Sequence, residues 1–161
     1  MAFPTDRGRR LRSNPAIRRM VRETQLSVDD LIYPLFVVEG KGIKKEISSM
    51  PGVYQMSVEH IVTECEKLKA LGIPAVILFG IPAHKDAVGS EAYNANGIIQ
   101  QAIRAIKHEV PDMYVITDVC MCEYTDHGHC GIIKNNDVDN DETLKYLALE
   151  ALSHVQAGAD M

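Results

Sequence analysis

Leu31-Ile32-Tyr33-Pro34-Leu35-Phe36-Val37-Val38 is a nearly continuous apolar run, of the kind expected for a strand buried on both faces. Pro34 cannot donate to a ladder, so its position requires a bulge or an unpaired neighbour. Ala75-Val76-Ile77-Leu78-Phe79-Gly80 and Met113-Tyr114-Val115-Ile116-Thr117-Asp118 repeat the pattern downstream. A segment with helical periodicity stands between each pair of runs. Ser57 is placed to cap the first, which carries Ile61, Cys65, Leu68 and Leu71 on one stripe and ends at Gly72. The second carries Ile98, Ile99, Ala102, Ile103 and Ile106 and is stopped by Pro111. A third is predicted from about Asp141 to Gln156, stopped by Gly158, with Ala159-Asp160-Met161 opening a fourth strand. Residues 41–56 read as a short hairpin-like excursion, 81–95 as a polar loop and 121–140 as a long Gly- and Asn-containing loop. Alternating strands and helices imply an α/β protein with a parallel sheet. A doubly wound sheet and a (β/α)8 barrel both fit. No glycine-rich fingerprint follows the first strand, which disfavours dinucleotide binding. A barrel needs roughly 250 residues, so on that reading about half is present and the chain stops at the threshold of a strand.

Upstream, Asn14-Pro15 starts a helix, with Asn as cap and Pro at the first helical position, followed by Ile17, Met20 and Val21. Residues 1–12 read as an extended arm, and Ser27–Asp30 as a turn. The expected division is therefore an arm with its first helix over 1–24, then one domain over 25–161. The 161 residues suffice for a real core, and 46% hydrophobic with 24% charged residues is ordinary for a globular chain. No apolar run approaches the roughly 18 residues of a membrane helix. No apolar stretch with a small-residue cleavage site follows the N-terminal arginines, so a cytoplasmic location is expected. Residues 1–22 carry seven arginines against Asp6, a net +6, which leaves −11 for the rest of a chain of net charge −5. A basic arm on an acidic body suits nucleic acid or an acidic neighbouring subunit. Docking on a subunit is favoured, because the arm lacks interleaved aromatics and no nucleic-acid motif follows it.

The chemistry concentrates in Asp118-Val119-Cys120-Met121-Cys122-Glu123-Tyr124-Thr125-Asp126-His127-Gly128-His129-Cys130-Gly131, at the C-terminal end of the third strand. Both kinds of α/β fold place active sites there. Three of the four cysteines lie within these eleven residues from 120 to 130, which reads as a metal site rather than a disulfide framework. If extended geometry persists, residues 118, 120 and 122 share one side. Gly128 and Gly131 let the loop fold back and bring Cys130 to the other two. Three thiolates at about 2.3 Å make three corners of a tetrahedron, and the open fourth corner suits catalysis. Unmetallated reduced thiols are the competing reading. His127 and His129 are each candidates for fourth ligand, hydrogen-bond partner of a ligand or general acid–base, or are simply solvated, and their parity lets one of them face the metal. Asp118 can also serve as a cap for backbone N–H groups. Cys65, on a helical stripe, reads as core, and His60, His84, His108 and His154 as surface or core residues.

At these residues the sequence resembles the porphobilinogen synthase (5-aminolevulinate dehydratase) family. The likeness runs through Arg9–Arg12, Asn14–Arg18, Asp29–Gly40, Met50–Tyr54 and Gly89–Tyr93, and is most specific at Asp118–Cys120, Cys122 and His127–Gly131. It implies the N-terminal half of a (β/α)8 TIM barrel preceded by an extended arm that embraces a neighbouring subunit, usually in an octamer. The implied activity is condensation of two 5-aminolevulinate molecules to porphobilinogen, with loss of two waters, in haem biosynthesis. Members with three cysteines here are the zinc type, so Cys120, Cys122 and Cys130 would hold Zn2+ and polarise substrate. His129 would lie near the metal, and Asp118 would orient substrate or move a proton. The family's two Schiff-base lysines match none of the nine lysines here, so the chain alone is expected to be inactive. Asp126 departs from the family, where serine is common, and adds a carboxylate beside the thiols. A non-catalytic zinc-binding half-barrel is the alternative.

Overall fold

The computed structural model describes every residue except Met1 and Phe3. Its contacts divide into two units, Met1–Asp30 and Leu31–Met161, so the expected division at residue 24 falls inside the first. Within the first unit, the expectation of an extended arm over 1–12 covers two positions outside the described residues. The remainder is not extended throughout. Asp6 N–H closes a turn on Ala2 O at 2.9 Å, and Arg10–Arg12 form a 3-10 turn. Helix α1 (Pro15–Met20) starts as its sequence requires: the Asn14 side chain accepts from the N–H groups of Ala16 and Ile17, each at 3.0 Å.

The second unit is built on a sheet of β1 (Ile32–Val38), β2 (Lys44–Glu46), β3 (Tyr54–Met56), β4 (Ala75–Ile81) and β5 (Tyr114–Thr117). Their spatial order is β2-β3-β1-β4-β5. β1, β4 and β5 are parallel neighbours in chain order, with Ile32 opposite Ala75 and Ala75 opposite Tyr114. β2 and β3 form the antiparallel hairpin foreseen over 41–56. Pro34 is accommodated because β3 pairs with β1 at Phe36 and Val37, leaving that flank open two residues earlier. Past helix α4 (Asn140–Ala157), Thr117 N–H donates to Met161 O and Met161 N–H to Val115 O. That is the bonding of a parallel neighbour, so the segment expected to open a fourth strand lies beside β5.

Helix α2 (Val58–Ala70) packs on α3 (Ile98–Glu109), and α3 on α4. Together they cover one face of the sheet. Leu35, Val37, Val76, Leu78 and Val115 from the strands meet Ile61, Leu68, Ile99, Ile103 and Ile106 from the helices. Each fully buried isoleucine contributes about 1.5–3 kcal/mol to this core. Ser57 precedes α2 but does not cap it: its hydroxyl accepts from Ile43 N–H at 3.0 Å and donates to Glu59 at 2.8 Å. The serine therefore ties the entry of β2 to α2. The loop expected over 121–140 also holds a small hairpin, β6 (Ile133–Lys134) and β7 (Asp137–Val138). Its two-residue turn uses Asn135 and Asn136 in left-handed conformation, at φ 52° and 64°.

Candidate metal centre

β5 ends at Thr117, and Asp118 N–H still reaches Leu78 O at 3.2 Å. Extended geometry, the condition on which residues 118, 120 and 122 would share one side, does not continue to residue 122. Two residues apart on a strand would separate the Cys120 and Cys122 side chains by about 6.6 Å. Instead the N–H groups of Tyr124 and Thr125 both donate to Met121 O at 2.9 Å, closing a turn that brings Cys120 Sγ and Cys122 Sγ to 3.4 Å. Met121, Tyr124 and Thr125 are buried and anchor that turn, while the two thiols on either side of Met121 stay half-buried. The loop is also stitched to the β4–α3 connection. Asp86 N–H donates to Tyr124 O at 3.3 Å, and Asp126 N–H donates to Asp86 O at 3.1 Å. Asp86 itself accepts from the Ser90 hydroxyl and from the N–H groups of Val88 and Ser90, and these bonds hold its carboxyl below the usual range.

Cys130 returns to the other two cysteines through the turn at Gly128, and Thr125 Oγ1 donates to His129 O at 2.9 Å to close the loop. The three sulfurs lie within 4.8 Å of one another. A tetrahedral zinc–thiolate centre spaces its sulfurs about 3.8 Å apart, so this donor set fits a soft-preferring divalent ion. Burial raises the Cys120 and Cys122 thiols, and the crowding of Cys130 and the carboxylate of Glu123 push the same way. A bound cation reverses that balance, because a coordinating thiol is deprotonated.

The other expected site residues are placed as follows. Asp118 is half-buried beside Cys120, and burial raises its carboxyl. Glu123 joins Asp118 and Cys120 in a second set of ligand atoms within 4.8 Å of one another. Burial, then the Asp118 charge, raises Glu123 as well. Neither histidine joins either set among the described residues. His127 packs its ring 5.5 Å from that of His129, accepts His129 N–H at 3.2 Å and sets Nε2 3.4 Å from Ala87 O. His129 and Asp126 are exposed, and Asp126 joins neither set among the described residues.

Sequence reasoning passed over the floor of this site. α4 presents Glu150, Ser153 and His154 inward, all buried. His154 Nδ1 lies 3.0 Å from Thr117 Oγ1, and Gln100 Nε2 donates to Ser153 Oγ at 2.8 Å. His154 Nε2 is buried without a hydrogen-bond partner, and on the buried Glu150 carboxyl the Cys120 N–H is the one backbone group that acts. A separate cavity of about 440 Å³ lies beyond the ends of β1 and β4, against Glu39, Glu59, His84 and Glu91, and includes none of the cysteines.

Comparison with known proteins gives the chain its family. Residues 5–161 match the family model described as delta-aminolevulinic acid dehydratase. Proteins of that name are similar to the chain: one from Ruminiclostridium josui at 60% identity over 96% of this chain and 76% of its own length; one from Halalkalibacterium halodurans at 56% over 96% and 47%; and one from Methanothermus sociabilis at 55% over 100% and 50%. The crystal structure of the Toxoplasma gondii dehydratase, in complex with the reaction product porphobilinogen, superposes with a TM-score of 0.93 at 35% identity, covering 97% of this chain and 45% of that one. Most of these relatives are thus about twice as long as the stretch that matches them. A family match over nearly the whole chain, with relatives of that name at 55–60% identity, establishes that the chain belongs to the delta-aminolevulinic acid dehydratase family.

Proposed function

We propose that this chain supplies the metal-bearing half of a zinc-type porphobilinogen synthase, which joins two molecules of 5-aminolevulinate into porphobilinogen. The observation that carries the reading is the convergence of Cys120, Cys122 and Cys130 on one point at the C-terminal end of a parallel strand, with Asp118 beside them. Zinc on those sulfurs would supply Lewis-acid polarisation of a substrate oxygen. The chain's own groups do the rest of what this half can do. The Met121 turn fixes the thiols, and Asp118, whose carboxyl burial raises, stands beside them as the chain's own candidate for moving a proton. His129 on the exposed return of the loop is available to incoming substrate. Helices on one face of the sheet, with an apolar opposite face, support half of a (β/α)8 barrel. The basic segment 1–22 suits clasping a second, acidic copy in a homo-octamer rather than nucleic acid. Among the described residues no helix is long and apolar enough to cross a membrane. A cytoplasmic, haem-pathway setting goes with the family reading.

The test is metal content together with product formation. Reduced protein should retain about one zinc per chain, and Cys130→Ala should weaken it sharply by removing one thiolate. The chain alone should form no porphobilinogen from 5-aminolevulinate, and product should appear when the family's lysine-bearing half is added in trans. Stoichiometric zinc in the triple variant Cys120→Ala, Cys122→Ala, Cys130→Ala would overturn the metal assignment, and turnover by the chain alone would overturn the division of labour.

A further inference from the structure

Strand β4 carries Gly80, the one glycine inside a strand among the described residues. Glycine weakens a strand interior, and it often marks a place where another group comes close to the backbone. Here that group is Tyr124. A Cβ on Gly80 would overlap Tyr124 Oη, lie 3.2 Å from Tyr124 Cζ and meet Ile99 Cγ1 of α3 at 2.7 Å. Gly80 shares its side of the strand with the buried Val76 and Leu78, so the phenol tip is lodged between β4 and α3 on the helix-covered face. The base of the side chain is confined as well. A Cβ on Gly89 would stand 3.3 Å from Tyr124 Cβ and from Met121 Cε, and 3.6 Å from Thr125 Cγ2.

Tyr124 therefore reaches from the core to the cysteine turn. Its N–H donates to Met121 O at 2.9 Å, closing the turn around Cys122, and its carbonyl accepts from Asp86 N–H at 3.3 Å. The socket does not yield, because β4 is paired with β1 along its length, Gly80 standing opposite Val37. A side chain at residue 80 would drive the ring back toward its own Cα. The turn would move with it and carry Cys122 off Cys120 and Cys130. A site loosened by about 1 Å loses the pre-organisation on which its affinity depends. We propose that Tyr124 is the positioning residue of the three-sulfur centre and that Gly80 is the socket that fixes where it stands. This role rests on the reading of Cys120, Cys122 and Cys130 as metal ligands. No hydrogen bond holds the hydroxyl among the described residues, so the phenol acts by its length.

Three measurements on the reduced chain test this. Zinc affinity is read by competition with a chromophoric chelator, site geometry by the thiolate charge-transfer and d–d bands of Co2+, and stability by denaturant titration of metal-free protein. Gly80→Ala should weaken zinc at least about tenfold and alter the Co2+ bands with all three thiols present. Tyr124→Phe should bind as wild type does. Added to Gly80→Ala, it removes the overlapping oxygen and should restore most of the affinity and the bands. The Ile99 overlap remains in that double variant, so its stability should stay low. A mere packing role would not give this split: it would lower stability and leave the metal geometry alone. Should Gly80→Ala fail to fold, Tyr124→Leu shortens the side chain from the other end and should weaken zinc likewise. Unchanged zinc affinity and Co2+ bands in Gly80→Ala, or in Tyr124→Leu where it takes that variant's place, would overturn the proposal, as would a loss that Tyr124→Phe does not restore. Wild-type chain that takes up no zinc would overturn the metal reading, and this role with it.

Discussion

At Gly131 there is no room for a side chain. A Cβ there would overlap Thr143 Oγ1 and approach Val138 Cγ1 to 2.7 Å. Thr143 is committed: its hydroxyl accepts from Ile132 N–H at 2.9 Å and donates to Asp139 O at 2.6 Å, fixing the first turn of α4. The glycine therefore sets how close the cysteine loop comes to α4, and Cys130 is its immediate neighbour. Gly131→Ala should destabilise the fold by about 1–3 kcal/mol, the usual cost of overpacking a tight contact. It should also weaken zinc at least about tenfold without touching a ligand, because Cys130 moves off the other two sulfurs. Denaturant titration and competition with a chromophoric chelator measure the two effects. Full zinc affinity with lowered stability would show that the loop adapts independently of α4. Cys65 makes the opposite case. It is buried on α2, its thiol is pushed up to about 12 by burial, and it behaves as the core residue its helical stripe implied.

Among the elements, α4 is turned against its own hydrophobicity. Leu144, Leu149, Leu152 and Val155 are exposed, while Thr143, Glu150, Ser153 and His154 are buried. The consequence is a pH dependence with two limbs. Burial pushes Glu150 up to about 8 from 4.5, against an opposing backbone N–H at Cys120, with Asp118 and Glu123 adding to the rise. The folded state then binds the extra proton, and stability falls as pH rises through 4.5 to 8. Burial against Thr117 lowers His154 to about 4 from 6.5. There the unfolded state binds the extra proton, and stability rises with pH from 4 to 6.5. The two oppose each other between 4.5 and 6.5, so metal-free protein should lose melting temperature mainly between about 6.5 and 8. Glu150→Gln should abolish that loss and leave the His154 rise below 6.5; an unchanged Tm–pH profile would refute the assignment. These residues also mark where sequence reading stopped. The buried runs fixed β1, β4 and β5 almost to the residue, because unbroken Val, Ile and Leu leave no alternative to a covered strand. On α4 the leucines have helical spacing, but periodicity does not say which stripe the fold covers. Cys120 and Cys122 were foreseen as neighbours for the wrong reason: alternation assumes a strand, and the buried Met121 makes a turn. The β6–β7 hairpin escaped because two-residue strands are too short to show a period, although Asn135-Asn136 carried the turn signal.

For the molecule as a whole, the helix-covered face of the sheet is closed, and the opposite one is apolar and half-exposed. Pro34, Phe36, Ile77, Phe79 and Ile116 lie there, with the Phe36 and Phe79 rings stacked at 5.3 Å. Helix α4 adds a second apolar stripe. Apolar surface of this kind drives association without choosing a partner or an orientation. Charge can choose: the +6 of residues 1–22 stands against −11 on the rest of the chain, which would favour arm-to-body contact between copies over body-to-body contact. Deleting residues 1–12 removes Arg7, Arg9, Arg10 and Arg12 and takes nothing from the buried core, which lies wholly within Leu31–Met161. The truncated protein should keep its far-ultraviolet spectrum and melting temperature while its specific assembly weakens. Raising the salt should mimic the deletion on the intact protein, since exposed charges are screened within about 10 Å at 0.1 M, whereas apolar association strengthens or holds. Sedimentation velocity of both proteins across a salt series separates the two forces. Identical sedimentation at low salt would mean that apolar surface alone assembles the protein and that the arginines have another use.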